Sequence, residues 1–252
     1  MVDVKTMFDL TGKVALVTGG SRGLGREMVL AYAQSGADVV IASRKLENCE
    51  KLAEEVKRTT GQRALPFAFH AGDWTLNEQL AEAAYKEFGK VDIFVNNAGM
   101  SPIYDHVVNV SEDLYDKVLD VNLKGPFRLV AVVGTRMVED GGGSIILVSS
   151  SGAVNPGRGA ISYSAAKAGL NAMTIGFADH FGPAVRVNCI MPGPFLTDIS
   201  KAWSAENFER HKDLMLQRAG EPHEVVGAAL YFASDAASSF TTGAILAVTG
   251  NG

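Results

Sequence analysis

Tyr163-Ser164-Ala165-Ala166-Lys167 opens a long helical pattern, with its tyrosine and lysine four residues apart. Residues at i and i+4 lie on one helical face. A lysine ammonium beside a phenol stabilises phenolate and predicts a tyrosine pKa drawn from about 10 toward working pH. Such a Tyr163 can give or take a proton as carbonyl and alcohol interconvert. Three polar segments keep it company. Ser149-Ser150-Ser151 closes the apolar run Ile145–Val148, thirteen residues before Tyr163 counting from Ser150. Asn96-Asn97-Ala98-Gly99 closes Val91–Val95, and Pro192-Gly193 follows Val185–Ile190. Asn122 stands inside the helical pattern Leu114–Val138, where asparagine is unfavourable without a role.

A second chemistry is written near the N-terminus. Val14–Val17 leads into Thr18-Gly19-Gly20-Ser21-Arg22-Gly23-Leu24-Gly25 and then a helical pattern. Strand, glycine turn and helix is the context a dinucleotide pyrophosphate needs. Backbone N–H groups must approach phosphate oxygens, and the helix N-terminus adds partial positive charge. The spacing is G-x-x-x-G-x-G, not G-x-G-x-x-G. The end of the second strand chooses between cofactors, since an acidic residue there would accept bonds from the ribose 2′-OH of NAD. Ser43-Arg44-Lys45 stands there instead, with Arg22 in the turn nearby. Cations and a hydroxyl suit a 2′-phosphate, so NADP(H) is expected ahead of NAD(H).

These groups need a scaffold that brings strand ends together. Short apolar runs at Val14–Val17, Val39–Ile41, Ala64–Phe69, Val91–Val95, Ile145–Val148, Val185–Ile190 and Ala244–Val248 read as seven buried strands. Helical patterns lie between them at Gly25–Gln34, Leu46–Lys57, Leu76–Phe88, Leu114–Val138, Tyr163–Phe181 and Glu221–Ala233. Gly36, Gly61 and Gly89 are placed to end the first three. The alternation predicts an α/β fold: one doubly wound Rossmann-type domain over 1–252, a seven-stranded parallel sheet with helices on both faces. Strand C-termini then face one ligand crevice. Residues 195–220 lack a strand and read as a small helical lid over it.

Composition excludes other classes. The chain of 252 residues is 47% hydrophobic and 20% charged, enough to bury a core. Its net charge of −5, without a basic cluster, argues against a nucleic-acid partner. No apolar run reaches the ~18 residues of a membrane span, and Met1–Leu10 shows no signal-peptide core. Cys49 and Cys189 lie in no metal or disulfide pattern, so no metal is expected and a reducing cytoplasm is.

Taken together, TGGSRGLG, NNAG, the asparagine of DVNLKG, the serine of LVSSSG, YSAAK and the PG of MPGPFLT resemble the short-chain dehydrogenase/reductase family, in its compact single-domain branch. The resemblance runs from Thr11-Gly12-Lys13 to the C-terminal strand. It implies an NADP-dependent enzyme acting on CH–OH donors. Tyr163 would be the general acid/base, and Lys167 would lower its pKa and hold the nicotinamide ribose. Ser150 would bond the substrate carbonyl oxygen, and Asn122 would hold a water linking Lys167 to solvent. Gly19, Ser21, Arg22, Gly23, Leu24 and Gly25 would surround the phosphates. Asp73 would accept from the adenine amine, with Trp74 beside it where a small apolar residue is usual. Asn97, Ala98 and Gly99 would wall the adenine ribose, and Pro192, Gly193 and Thr197 would meet the nicotinamide end.

Family membership does not fix a substrate. Met100–Tyr104, Gly152–Asn155 and the lid offer Met100, Tyr104, Val154, Phe195, Ile199 and Trp203, a mix that favours a small-molecule ketone or aldehyde with a hydrophobic body. The 3-oxoacyl-[acyl-carrier-protein] reductases are similar, but the cations their acidic partner needs are missing from Met137–Gly143 and Ala178–Gly182. A polyol or gluconate dehydrogenase and a non-catalytic redox sensor are weaker alternatives. Leu129, Val130, Val132, Val133 and Met137 on one helix, and Leu170, Ala172, Met173, Ile175 and Phe177 on the next, give apolar residues on more than one face. With the resemblance, they predict a homotetramer, and a homodimer if only these helices pair.

Overall fold

The computed structural model describes residues 3–198, 200 and 211–251. Seven parallel strands form one sheet in the order β3-β2-β1-β4-β5-β6-β7. They are β1 Val14–Thr18, β2 Asp38–Ser43, β3 Ala64–Ala68, β4 Ile93–Asn96, β5 Gly143–Val148, β6 Val185–Pro192 and β7 Ile245–Val248. The order reverses between β1 and β4, and there the loops leaving the strand C-termini diverge to open a crevice. The central strands are largely apolar because both faces are covered, with polar side chains such as Thr18 and Asn96 at the C-terminal ends of β1 and β4. Alternate residues serve opposite cores. Ala15, Val17, Val39 and Ile41 pack under α1 (Gly23–Gln34), α2 (Leu46–Thr60) and the helix Val226–Ala233. Leu16, Val40, Phe94 and Leu147 pack under α3 (Trp74–Phe88), α5 (Gly125–Glu139) and α6 (Ile161–Phe181).

Gly61 and Gly89 end α2 and α3 with φ of 78°, a conformation open to glycine at no cost. The pattern Leu114–Val138 is interrupted. α4 covers Glu112–Leu119, a π turn covers Asp120–Lys124, and α5 follows. The Gly125 N–H bonds Asp120 O, five residues back, and the Asn122 side chain donates to Val118 O at 2.9 Å. A side-chain amide thus takes up a carbonyl that the widened turn releases. Glu221-Pro222 leads into a 3₁₀ turn, Pro222–Val225, before the helix proper begins at Val226. The two ends of the segment expected to form a lid are tied together, as Gly220 N donates to Pro194 O and Leu196 N donates to Gly220 O. Its middle, residues 201–210, lies outside the described residues. Ile199 and Trp203 fall outside the described residues.

The outward apolar face is smaller than the sequence predicts. Leu129, Val130, Val133, Met137 and Leu170 are buried in the sheet-facing core. Ile175 of α6 is exposed as expected, joined by Phe127 and Val138 of α5, with the Phe127 ring tilted against Phe177 at 5.5 Å.

Candidate active site

The glycine turn is built for close approach. Gly19 and Gly23 have φ of 64° and 54°, in the region L side chains avoid. A Cβ on Gly25 would meet Gly19 O at 2.3 Å and Asn97 Nδ2 at 2.6 Å. The third glycine is therefore required by the packing of α1 on the turn. Thr18, buried at the end of β1, braces the same turn: its hydroxyl accepts from Asn97 N and Ala98 N at 3.0 and 3.1 Å. Asn97 Nδ2 returns bonds to Thr18 O and Gly19 O. The loops after β1 and β4 are thereby fixed to one another across the switch point.

From this turn a cleft of about 410 Å³ runs along the strand ends. Gly19, Arg22, Gly23, Leu24, Ser43 and Arg44 line one end, and Asn97, Ala98 and Gly99 its middle. Ser150, Tyr163, Lys167, Pro192 and Gly193 line the other, and Thr197 closes over the turn beside Gly23. Three expected contacts sit just behind the wall. Ser21 bonds Ser43 hydroxyl to hydroxyl at 2.8 Å, Gly25 is inside the turn, and Lys45 is the exposed residue preceding α2. Arg22 is ion-paired with Asp198 at 3.1 Å.

Asp73 and Trp74 do not line this cleft. Asp73 caps α3, its carboxylate accepting from Leu76 N at 3.0 Å. Trp74 is exposed and packs its ring against the Arg128 guanidinium, 5.0 Å away. The residues in the expected place are Phe69, His70 and Ala71, which leave the end of β3, with Lys117 and Val121 opposite. An acid three residues farther on marked the helix start rather than the pocket.

At the reacting end, Ser150 follows β5 and Tyr163 stands in the first turn of α6. The Ser150 hydroxyl faces the phenol closely enough to favour its ionised form. Ser150 Oγ also accepts from Gly152 N at 3.1 Å. Burial raises the Tyr163 phenol. Lys167 is buried, and its ammonium donates to Val148 O at 2.8 Å and lies 5.7 Å from the Tyr163 ring centre. Burial draws its pKa down to about 8, with Cys189 opposing. Ser150 counters the effect of burial on the phenol. Asn122 accepts from Met100 N at 3.1 Å and donates to Met100 O and Val118 O, both at 2.9 Å. Its amide pins the loop after β4, and Gly99 passes so close that a Cβ would meet Asn122 Oδ1 at 2.9 Å.

A family model described as short chain dehydrogenase matches residues 13–207. The chain belongs to the short-chain dehydrogenase family. Dehydrogenase/reductase SDR family member 4 of Homo sapiens is 35% identical over 245 residues, which cover 96% of this chain and 87% of that protein. Among solved structures, the NADPH-dependent 3-quinuclidinone reductase of Rhodotorula rubra superposes with a TM-score of 0.94 at 29% identity, covering 99% of this chain and 94% of that one. A 7α-hydroxysteroid dehydrogenase complexed with NADH superposes with a TM-score of 0.92 at 28% identity, covering 100% and 98%. Membership makes this dehydrogenase an oxidoreductase that uses a nicotinamide cofactor on a carbonyl/alcohol pair.

The cleft of this short-chain dehydrogenase fits such a cofactor on its own geometry. The turn glycines remove side chains where phosphates must approach backbone, and Gly99 keeps the floor open beside Lys167 Nζ. His70, Lys117 and Asp198 were missed in the sequence. A rule of position, the residues directly after a strand end, finds His70. Lys117 and Asp198 carry no such local signal.

Proposed function

We propose that the protein is an NADP(H)-dependent oxidoreductase that interconverts an apolar ketone or aldehyde and its alcohol, with Tyr163 as general acid/base. The observation that carries this reading is the convergence of Ser150, Tyr163 and Lys167 in the cleft that begins at the glycine turn. When bound, the reduced nicotinamide supplies a hydride to the carbonyl carbon. Tyr163 delivers the proton to the carbonyl oxygen, and Ser150 donates a hydrogen bond to the same oxygen. The bond from Gly152 N uses only a lone pair of Ser150, so the single hydroxyl hydrogen turns from the Tyr163 oxygen to the substrate oxygen when substrate binds. Lys167, held by Val148 O, would meet the nicotinamide ribose and supply positive charge as the phenol gives up its proton. Arg44, Ser43 and Arg22 would hold the 2′-phosphate. Neighbouring structures carry either cofactor in their descriptions, so the preference rests on these side chains.

An apolar substrate body is supported by Met100 and Phe195 in the cleft and by exposed Ile103, Val154 and Ile161 on the loops bordering it. Spectrophotometric assay of aliphatic, bicyclic and polyhydroxylated ketones with NADPH and NADH tests the reading. Turnover should favour NADPH and the apolar ketones; turnover confined to polyols, or to NADH, contradicts it.

The same reading includes a homotetramer, with a homodimer if only one face pairs. Phe127 and Ile175 offer one apolar face, and Phe240, Ile245 and Leu246 at the open edge of β7 offer another. Both cysteines are buried free thiols, which fits the reducing cytoplasm. Among the described residues, no helix is long and apolar enough to cross a membrane.

A further inference from the structure

We propose that Tyr104 is a positioning residue: its hydroxyl caps the helix that carries Tyr163 and sets how that helix presents the phenol to Ser150. The inference rests on the oxidoreductase reading above and adds a residue to it. α6 begins at Ile161, two residues before Tyr163, and its N-cap Ala160 has no side chain that can accept a hydrogen bond. The first N–H groups of a helix need partners from outside it. Ile161 N donates to the Tyr104 hydroxyl at 2.7 Å, across 57 residues of sequence. A distant loop thus supplies the acceptor that Ser, Thr or Asp supplies at an ordinary N-cap.

The bond is one of two stitches between the same segments. Tyr104 N donates to Gly159 O at 3.3 Å. Gly159 lies so close that a Cβ there would meet Tyr104 O at 3.2 Å and Ile103 Cγ2 at 3.3 Å. The other end of the loop is held at Met100 by the Asn122 amide. Residues 100–104 therefore form a strap from the π turn to the first turn of α6. Tyr163 and Ser150 line the cleft at the foot of that strap. If the first turn frays, Tyr163 is the catalytic group that moves.

Tyr104→Phe keeps the ring and deletes only the acceptor, so the variant should fold, which circular dichroism and a melting curve check. Native-state hydrogen exchange at the Ile161 amide should accelerate on the order of five- to ten-fold, the scale of a lost cap. With NADPH and the best apolar ketone, kcat should fall roughly three-fold or more, because the cap's loss lets the proton donor leave its place. KM for the ketone and the affinity for NADPH should stay within about two-fold, as expected when an interaction made only in the transition state is lost. Unchanged Ile161 exchange overturns the proposal. So does a lower melting temperature with unchanged kcat, which is a structural role alone. A raised ketone KM with unchanged kcat also overturns it, since the hydroxyl then touches substrate. Failure of the oxidoreductase reading shows separately, as a wild-type protein that turns over no ketone.

Discussion

In the proposed function, Arg44 carries the cofactor preference at the scale of one side chain. It is exposed, lines the cleft beside Ser43, and stands where an acid would reject a 2′-phosphate. Arg44→Ala should weaken NADP binding roughly ten- to a hundred-fold and leave NAD binding within a few-fold, by fluorescence titration. Equal losses for both would remove Arg44 from the 2′-phosphate. Lys167 gives a different kind of prediction. Its pKa falls from 10.5 to about 8 on folding, because burial disfavours the ammonium. Below pH 8 both folded and unfolded chains hold the proton, and the cost of burying the charge is fully present. Between about pH 8 and 10 the unfolded chain holds more protons, so Lys167 makes stability rise with pH, on the order of 1–3 kcal/mol in all. Denaturant unfolding across that window should show the rise in wild type and its loss in Lys167→Met; parallel curves would contradict the shift. The YSAAK spacing was readable as a same-face pair. That the Lys167 ammonium donates to Val148 O was not, since the spacing says nothing of which strand end the side chain reaches.

At the scale of elements, the helix running from α4 into α5 shows where pattern reading stops. Apolar spacing gave a single helix over Leu114–Val138, yet the chain widens into a π turn at Asp120–Lys124. Periodicity near 3.6 hardly registers one extra residue in a turn. Asn122 was the visible trace, a poor helix former that the turn converts into a brace for Met100. Gly125 is the other device. A Cβ there would lie 1.7 Å from Ala71 O, so only glycine lets the helix pass against the loop that brings His70 and Ala71 into the cleft. Gly125→Ala should cost about 1–3 kcal/mol or more, since backbone must shift on both sides. In a chain of this length that is a fall in Tm of several degrees, at roughly 2–4 °C per kcal/mol. A melting temperature unchanged by the substitution would mean that the two segments are not in register as described. Asp73, chosen for its chemistry, caps α3 and lines a hollow that shares His70, Lys117 and Val121 with the cleft.

For the whole molecule, the doubly wound parallel sheet and a crevice at the strand C-termini followed from alternation, because seven short apolar runs separated by helices leave few right-handed parallel arrangements; the strand order itself is seen only in the structure. Assembly was less legible. The residues that drew attention on α5, Leu129, Val130, Val133 and Met137, turned out to face the sheet, since a wide apolar stripe can be consumed by a two-layer core. Phe127, Ile175, Phe240, Ile245 and Leu246 now carry the expectation. Sedimentation equilibrium at micromolar concentration should show a tetramer, and Phe240→Asp with Leu246→Asp should reduce it to the dimer; a monomeric wild type would contradict pairing through these faces. The central claim joins all three scales: this cleft reduces a carbonyl with NADPH using the Tyr163 proton. Its most direct test is a single-turnover stopped-flow experiment, mixing the NADPH complex with an apolar ketone and following loss of the reduced cofactor. Wild type should oxidise its bound NADPH, while Tyr163→Phe should do so at a rate lower by roughly 10²–10⁴-fold with NADPH affinity nearly unchanged. A Tyr163→Phe rate within a few-fold of wild type would contradict the account.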